Sequence, residues 1–283
     1  MKEREGVLPK APLIYALSVL RFSPVLVMSK LIPAIQQAIR ESLPEFFQMV
    51  KNAPGAPQSS EPNSWAFMDK YLKNACVLSQ DYLIFQSIDY LHFDSHAELF
   101  NKCVEAVVHE TGGLDVAGLG MRYVDMVEPG RGEHLSDYLP HALLPLENDA
   151  IASLGSGEPK KPLGVSTTTY HFDPEFLHIR CWRQPGMWVP DDLIEPAMVF
   201  EIARQTHHQG HGAGRQIQSP PVYTPLSESG ALLDTDAYWP LALTERLPPE
   251  EISLRLKHLH TIANNAFRNV ATEHAFQRWN EKS

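Results

Sequence analysis

The sequence has few cysteines, and their spacing excludes the structures that cysteines usually stabilise. Cys76, Cys103 and Cys181 are odd in number, lie far apart and form no C-x-x-C pair. This pattern indicates neither a disulfide framework nor a zinc ribbon. Cys103 falls on the apolar stripe of a predicted helix, and Cys181 falls in a predicted strand. We therefore interpret the cysteines as small buried side chains.

Basic charge and long apolar runs are also scarce. The 24 lysines and arginines face 34 aspartates and glutamates, and the resulting net charge of −10 disfavours binding to nucleic-acid phosphates. No apolar run approaches the roughly 20 residues that a membrane-spanning helix requires. The N-terminal segment lacks the unbroken apolar region of a signal peptide. These features predict a cytoplasmic globular protein with no membrane contact.

Motifs of the common catalytic and nucleotide-binding sites are absent from the sequence. The chain has no Walker A loop, no G-x-G-x-x-G after a strand, no G-x-S-x-G elbow and no set of kinase motifs. An aromatic motif of the kind found in RNA-recognition domains is missing too. No cofactor is predicted, and whether the protein is an enzyme stays open, with a non-enzymatic role favoured.

The first part of the chain alternates strand-like and helix-like patterns. Apolar residues are nearly continuous in the strand patterns and recur every three or four residues in the helix patterns. The predicted elements are a strand at 13–22, a helix from Ser29, strands at 65–70 and 75–91 with a hairpin break near Gln80, a helix from Ser95 and a strand at 114–127. This β-α-β-β-α-β order is typical of a ferredoxin-like arrangement.

The rest of the chain predicts a second half built in the same style. Residues 128–164 contain several prolines and glycines and little periodicity, which is typical of a connecting segment. The following predicted elements are strands near 165–172, 176–184, 197–206 and 231–238, and a long helix from Pro249. The sequence therefore predicts an α+β protein with two halves, each an antiparallel sheet backed by helices. Their predicted ranges are residues 1–127 and residues 165–283.

The stretch RQTHHQGHGAGRQ at residues 204–216 is rich in histidine and glycine. Neutral imidazoles are good zinc ligands, so His207, His208 and His211 are candidates for a metal site. The stretch follows a predicted strand, however, and it lacks the general-base glutamate of an H-E-x-x-H motif. We interpret it as a long hairpin loop, and the alternative is a divalent-metal site that uses these histidines.

Charged residues on two predicted strands are candidates for a polar site between the halves. Arg122, beside Tyr123, needs a carboxylate or carbonyl partner if it is buried. Asp234 and Asp236 lie two apart on a strand, face the same side and are candidate partners for Arg122. We favour an interdomain salt bridge. The alternatives are an anion-binding site at Arg122, and a Mg²⁺ or acid–base site at the two aspartates.

The predicted C-terminal helix carries His258 and His260. A separation of two residues points their side chains to different helix faces, so they are not expected to bind one metal ion together. His260 is next to Leu259 in the apolar stripe. We predict that a ring nitrogen of His260 hydrogen-bonds to a neighbouring strand.

Short stretches distributed along nearly the whole chain resemble a known family. They are APLIYALSVLRF, DYLIFQSIDYLHFDSHAELF, GLGMRYVDMVEP, LLDTDAYW and LKHLHTIANNAFRNVATEHAFQRW. Together they resemble a sporadically distributed family of uncharacterised prokaryotic proteins, whose pattern has a P-L-x-E-A-like start, a G-L-R-Y strand, an L-D-x-D strand and a C-terminal L-H-x₆-F-x₃-T helix. This chain departs from the pattern at Tyr15, where an acidic residue is usual, and at Met121, which separates Gly120 from Arg122. The resemblance implies one continuous two-part α+β protein and supplies no catalytic residue.

These patterns favour a binding role. We expect an accessory protein that binds a protein partner or a small ligand at the seam between its halves, where the arginine, tyrosine, aspartates and His260 named above form the candidate polar site. One alternative is a metal-dependent enzyme that uses the three histidines or the two aspartates. Another is an RNA-binding protein built on the ferredoxin-like half. A homodimer through an exposed edge strand is compatible with the sequence.

Overall fold

A single antiparallel sheet organises the computed structural model. The structure describes residue 6 and residues 8–49, 63–144, 163–209 and 223–281; at residues 206–209 it describes the backbone only. The strands are β1 (Leu13–Phe22), β2 (Glu45–Met49), β3 (Ser64–Met68), β4 (Asn74–Ser79), β5 (Tyr82–Ser87), β6 (Asp115–Val127), β7 (Gly164–His171), β8 (Phe176–Arg183) and β9 (Ala231–Arg246). Their order across the sheet is β2-β3-β4-β5-β1-β6-β9-β8-β7, and every neighbouring pair is antiparallel.

Helices cover both faces of this sheet. The described helices are α1 (Met28–Ile39), α2 (Phe93–Thr111), α3 (Leu135–Tyr138), α4 (Ile194–Gln209), α5 (Pro249–Val270) and α6 (Glu273–Asn280), with 3-10 turns at His141–Leu143 and Asp191–Leu193. The N-terminus of α2 is capped by His92, whose ring accepts a hydrogen bond from the Ser95 N–H, so the helix begins two residues before the predicted start at Ser95. The helix ends at Gly112, where φ is 71°, a left-handed conformation that favours glycine.

The sheet separates two hydrophobic cores. On one face, α1, α2 and α5 bury side chains such as Ile35, Phe100 and Leu256 against the strands. On the other face, α4 and the segment before it bury side chains such as Trp188 and Phe200. Because successive side chains on a strand point to opposite faces, each central strand contributes to both cores.

The pairing of β6 with β9 joins strands from the two predicted halves. The register runs from Asp115 opposite Arg246 to Val127 opposite Ala231, and β6 also pairs with β1 on its other edge. A Cβ at Gly118 would overlap the Tyr238 hydroxyl, so glycine is needed for this close approach. Strand β6 therefore lies in the interior of the sheet, where the first predicted half meets the second.

The prediction of a mixed α+β protein with antiparallel pairing is confirmed. The two predicted halves, however, contribute to one sheet and not to two: β1–β6 come from the first half, and β7–β9 come from the second half, with β7 beginning one residue before the predicted boundary, at Gly164. Strand β2 was not predicted, because its residues were included in the pattern of the first helix. The domain boundaries at 127 and 165 stay a prediction.

The predicted strand at 197–206 is wrong, because these residues form part of α4. The sequence AMVFEIARQT is rich in residues that favour strands, but its buried side chains follow helical spacing. Leu193, Ala197, Phe200 and Ala203 are all buried and recur every three or four residues along the side that meets the sheet. Burial of this stripe decides the local structure. The histidine-rich stretch consequently begins on a helix and not after a strand.

Among the residues that the structure describes, no helix combines the length and the apolar character needed to cross a membrane.

Candidate functional site

Strand β6 places two of the predicted site residues on opposite faces of the sheet. Arg122 points to the face covered by α4, and Tyr123 points to the face covered by α5. The aspartates of β9 join Arg122, whereas His260 joins Tyr123. The predicted site is therefore two separate groups of residues.

Arg122 is held between two carboxylates. Its Nε and Nη2 donate to the two carboxylate oxygens of Asp234, at 2.8 Å each, and its Nη1 and Nη2 donate to Asp192, at 2.6 and 3.0 Å. The side chain of Arg122 is 6% exposed and that of Asp234 is fully buried, while Asp192 is half exposed. Two such bidentate pairs use most of the donors of a guanidinium.

Arg180 on β8 extends this network of ion pairs. Its Nη2 donates to Asp236 at 2.7 Å, and its Nε lies 3.1 Å from a carboxylate oxygen of Asp234. Both carboxylates of the D-x-D pair are thus bound by guanidinium groups. A Mg²⁺ ion would have to displace these groups to reach the aspartates, so the arrangement fits a salt-bridge network better than a metal site.

The environment keeps Arg122 and Asp192 ionised. Burial acts to lower the pKa of Arg122, but its hydrogen bonds to Asp192 and the charge of Asp234 outweigh burial and raise the pKa. Burial likewise acts to raise the pKa of Asp192, and the hydrogen bonds and charge of Arg122 lower it overall. The network attaches the turn before α4 to the sheet, and we assign it a structural role.

Tyr123 forms the centre of the second group, on the opposite face of the sheet. Its hydroxyl lies 2.7 Å from Nδ1 of His260 on α5 and 3.1 Å from the hydroxyl of Tyr90. The His260 ring stacks on Phe93 at the start of α2, with the ring centres 4.0 Å apart and 7° between the planes. The neighbouring strand that was predicted to bind His260 is β6, and the contact is a side-chain hydrogen bond.

Burial makes the rings of this group neutral near pH 7. It lowers the pKa of His260 to about 4, although Asp94 opposes the shift, and it raises the pKa of Tyr90 to about 12. Burial also raises the pKa of Tyr123. The hydroxyl and imidazole groups therefore act as uncharged hydrogen-bond donors and acceptors.

A cavity of about 320 Å³ opens beside these rings, between β6, α5, the residues before α2 and the N-terminal segment. Because α5 belongs to the second predicted half and the other elements to the first, we name it the seam cavity. Its lining includes Leu13, Tyr90, Tyr123, Asp125, His260 and Phe267.

Asp125 is an acidic residue in the lining of the seam cavity. It lies on β6 two positions after Tyr123, is 3% exposed, and its side chain makes no hydrogen bond or ion pair with any residue that the structure describes. Burial raises its pKa well above the ordinary value, and the nearby charge of Asp234 adds to this effect. A buried carboxyl without a partner is costly, so this group is a feature that requires explanation.

The sequence placed Asp125 on the correct strand but assigned it no role. The available signal was a charged residue within the apolar run YVDMV. Tyr123 and Val127, two residues before and after Asp125, lie on the same face of the strand and are buried. Asp192 and Arg180 were missed as well, because they lie far from Arg122 in the chain and belong to no motif.

The predicted metal ligands fall mostly outside this description. His207 and His208 lie in the last turn of α4, where only the backbone is described, and His211 lies outside the described residues. Within the described ranges, no group of three or more histidine, cysteine, aspartate or glutamate side chains is arranged to hold a metal ion.

Comparison with known proteins adds no family to these observations. No protein-family model matches the chain, and no curated protein matches it at a significant level.

Proposed function

We propose that this protein is a cytoplasmic accessory protein that binds a small organic ligand in the seam cavity. The observation that carries the proposal is a cavity of about 320 Å³ walled by apolar and aromatic side chains, into which a few polar groups converge. Small-ligand sites generally combine an apolar wall with a small number of placed polar groups. Of the two partners expected from the sequence, a small ligand and another protein, the geometry favours the ligand.

The elements around the seam cavity support this proposal. The hydrogen bond between Tyr123 and His260 and the stack of His260 on Phe93 fix three elements relative to one another. The Arg268 guanidinium on α5 donates to the carbonyl of Gly6 at 2.7 Å and so attaches the N-terminal segment to the cavity. A pocket held in place in this way loses little entropy when a ligand binds.

A neutral aromatic probe tests this proposal. We expect 2-phenylethanol to bind with a dissociation constant on the order of 1 mM, measured by saturation-transfer NMR and by chemical-shift changes in ¹⁵N-labelled protein. Nuclear Overhauser contacts from the probe ring to Tyr123 and Phe267 should place it in the seam cavity. Absence of binding, or contacts elsewhere, would overturn the proposal.

Two variants of neighbouring asparagines on α5 test whether the probe binds in the seam cavity. Asn264 lines the seam cavity, and its neighbour Asn265 is exposed on another side of the same helix. Asn264→Phe fills the cavity and should abolish binding of the probe, whereas Asn265→Phe adds the same ring outside it and should leave binding unchanged. Equal binding by both variants would show that the probe binds elsewhere.

We further propose that the first part of the sheet contains a ferredoxin-like unit with an added β2–β3 hairpin. The order β4-β5-β1-β6, with α1 following β1 and α2 between β5 and β6, supports this assignment. We also propose membership in the sporadically distributed prokaryotic family, on the sequence stretches quoted above.

A further inference from the structure

We infer that the seam cavity selects a protonated organic amine, whose ammonium group is bound by the carboxylate of Asp125. This inference rests on the proposed function, and it names the class of ligand. It follows from the Asp125 carboxyl, from the aromatic rings that line the cavity and from the distribution of charge among the lining residues.

The Asp125 carboxyl lacks the partners that a buried carboxylate normally has. It is 3% exposed, lines the cavity, and is without a hydrogen bond or ion pair in the described part of the chain. Arg122, three positions earlier on the same strand, has two carboxylate partners. A cationic donor that enters the cavity supplies both the counter-charge and the hydrogen bonds that Asp125 does not receive from the protein.

Four aromatic rings line the same cavity as this carboxyl. Tyr90, Phe93, Tyr123 and Phe267 all line the seam cavity, and Tyr90 and Tyr123 meet edge to face with centres 5.5 Å apart. Aromatic faces attract cations, and ammonium ions are commonly bound by several rings with a carboxylate nearby. The same rings accept the apolar body of an amine, so one site recognises both parts of the molecule.

Among the described residues of the lining, Asp125 carries the carboxyl group that can become the counter-ion of a bound cation. Burial lowers the pKa of His260 and raises the pKa of both tyrosines, so these groups are neutral near pH 7. Arg268 of the lining donates to Asn264 at 3.2 Å and to Gly6. The remaining titratable neighbours are His92 in the lining and Asp234 on the other face of the sheet.

The test compares two probes of the same shape. Wild-type protein should bind 2-phenylethylamine, protonated at pH 7, at least about tenfold more tightly than 2-phenylethanol, because the ammonium group favours the ionised form of the buried Asp125 carboxyl and makes a charge-assisted hydrogen bond with it. Isothermal titration and competition NMR measure the ratio of the dissociation constants. Equal affinity for the two probes would overturn the inference.

Substitution of the carboxylate locates the effect. In Asp125→Asn the affinity for the amine should fall to that for the alcohol measured on the same variant, because the amide keeps the shape and removes the charge. The control Asp115→Asn makes the same change at an exposed position of β6 and should keep the wild-type preference. A preference that survives in Asp125→Asn assigns the cation to another group and contradicts the inference.

The outcomes separate this inference from the proposed function. If the alcohol binds in the seam cavity and the amine binds no better, the cavity is a ligand site and the ligand is not an amine. If neither probe binds, the proposed function fails and the inference fails with it.

Discussion

The Tyr123 hydroxyl on β6 lies 2.7 Å from Nδ1 of His260 on α5, so one hydrogen bond connects the central strand of the sheet to the long C-terminal helix. The same hydroxyl lies 3.1 Å from that of Tyr90, in the segment that leads into α2. Loss of this single oxygen leaves two partly buried polar groups without their partner, and such a loss is costly.

Tyr123→Phe should therefore lower the free energy of unfolding by about 1 kcal/mol, the usual contribution of a partly buried hydrogen bond. Urea denaturation followed by circular dichroism measures this change. Tyr170→Phe is the matched control, because Tyr170 is exposed on β7 and should give a change within about 0.5 kcal/mol. Equal stability of Tyr123→Phe and wild type would show that the hydrogen bond contributes nothing.

Removal of the guanidinium of Arg122 should be much more destabilising. Arg122→Met leaves Asp234, which is fully buried, without its bidentate partner, and a broken buried pair costs about 3–5 kcal/mol. Denaturant unfolding of this variant and of Arg40→Met, an exposed arginine, checks the prediction.

We expect 2-phenylethanol binding to be unchanged in Arg122→Met, since Arg122 is on the opposite face of the sheet from the seam cavity. Loss of probe binding by folded Arg122→Met would contradict the structural assignment.

A double substitution should recover much of that loss. Arg122→Met combined with Asp234→Leu replaces a buried ion pair by apolar side chains, an exchange that is often neutral. The double variant should be more stable than Arg122→Met alone by about 2 kcal/mol, in a double-mutant cycle measured by urea unfolding. Asp192 is the exposed member of the network, so its substitution tests the effect of burial. Asp192→Asn should lower the free energy of unfolding by less than Arg122→Met does, because Asp192 is half exposed.

Asp125→Asn should stabilise the free protein as the pH rises. Burial raises the folded-state pKa of Asp125, so the unfolded chain loses this proton first, and wild-type stability falls as the pH rises through the folded-state pKa. The amide cannot ionise, so the variant does not lose stability in this way. At pH values above the folded-state pKa of Asp125, its free energy of unfolding should exceed that of wild type by on the order of 1 kcal/mol. Unfolding free energies of wild type, Asp125→Asn and Asp115→Asn between pH 5 and 9 measure the difference. Parallel curves for wild type and Asp125→Asn would show that Asp125 is already ionised at pH 5.

Two buried imidazoles predict the response to acid. Burial lowers the pKa of His96 to about 3 and that of His260 to about 4, so both stay neutral in the folded protein at pH 5. The unfolded chain binds these protons near pH 6.5, and stability should therefore fall as the pH drops below 6.5, by up to about 1.4 kcal/mol per pH unit for each group. Histidine ring shifts in ¹⁵N NMR spectra test the neutral state directly. A midpoint near 6.5 for either ring in folded protein would refute the prediction.

The sequence was informative where burial and pattern act locally. The four-residue repeat of α1 and the stripe of α5 are visible because each buries one continuous side against the sheet. The partner of Arg122 could also be anticipated, since a buried guanidinium needs a carboxylate and Asp234 lies in an apolar strand. The helix α4 was missed because its composition favours a strand and its spacing alone indicates a helix.

The seam cavity could not be read from the sequence in the same way. Its walls come from segments separated by more than a hundred residues, and no local pattern brings Tyr90, Asp125 and His260 together. Only the pairing of β6 between β1 and β9, with α5 packed across it, defines the space. The division of Arg122 and Tyr123 onto opposite faces does follow from strand alternation, and it could have separated the two groups in advance.

The main-chain pairing of β6 with β9 also limits how a guest molecule can reach Asp125. A hinge-bending motion that spread β1–β6 from β7–β9 would break the hydrogen bonds along nearly the whole of β6. Entry of a ligand must therefore rely on smaller adjustments of lining residues outside the sheet, such as Leu8 and the exposed Leu91. The rate at which a ligand enters and leaves should accordingly depend on the motion of these lining residues, while β6 and β9 keep their register.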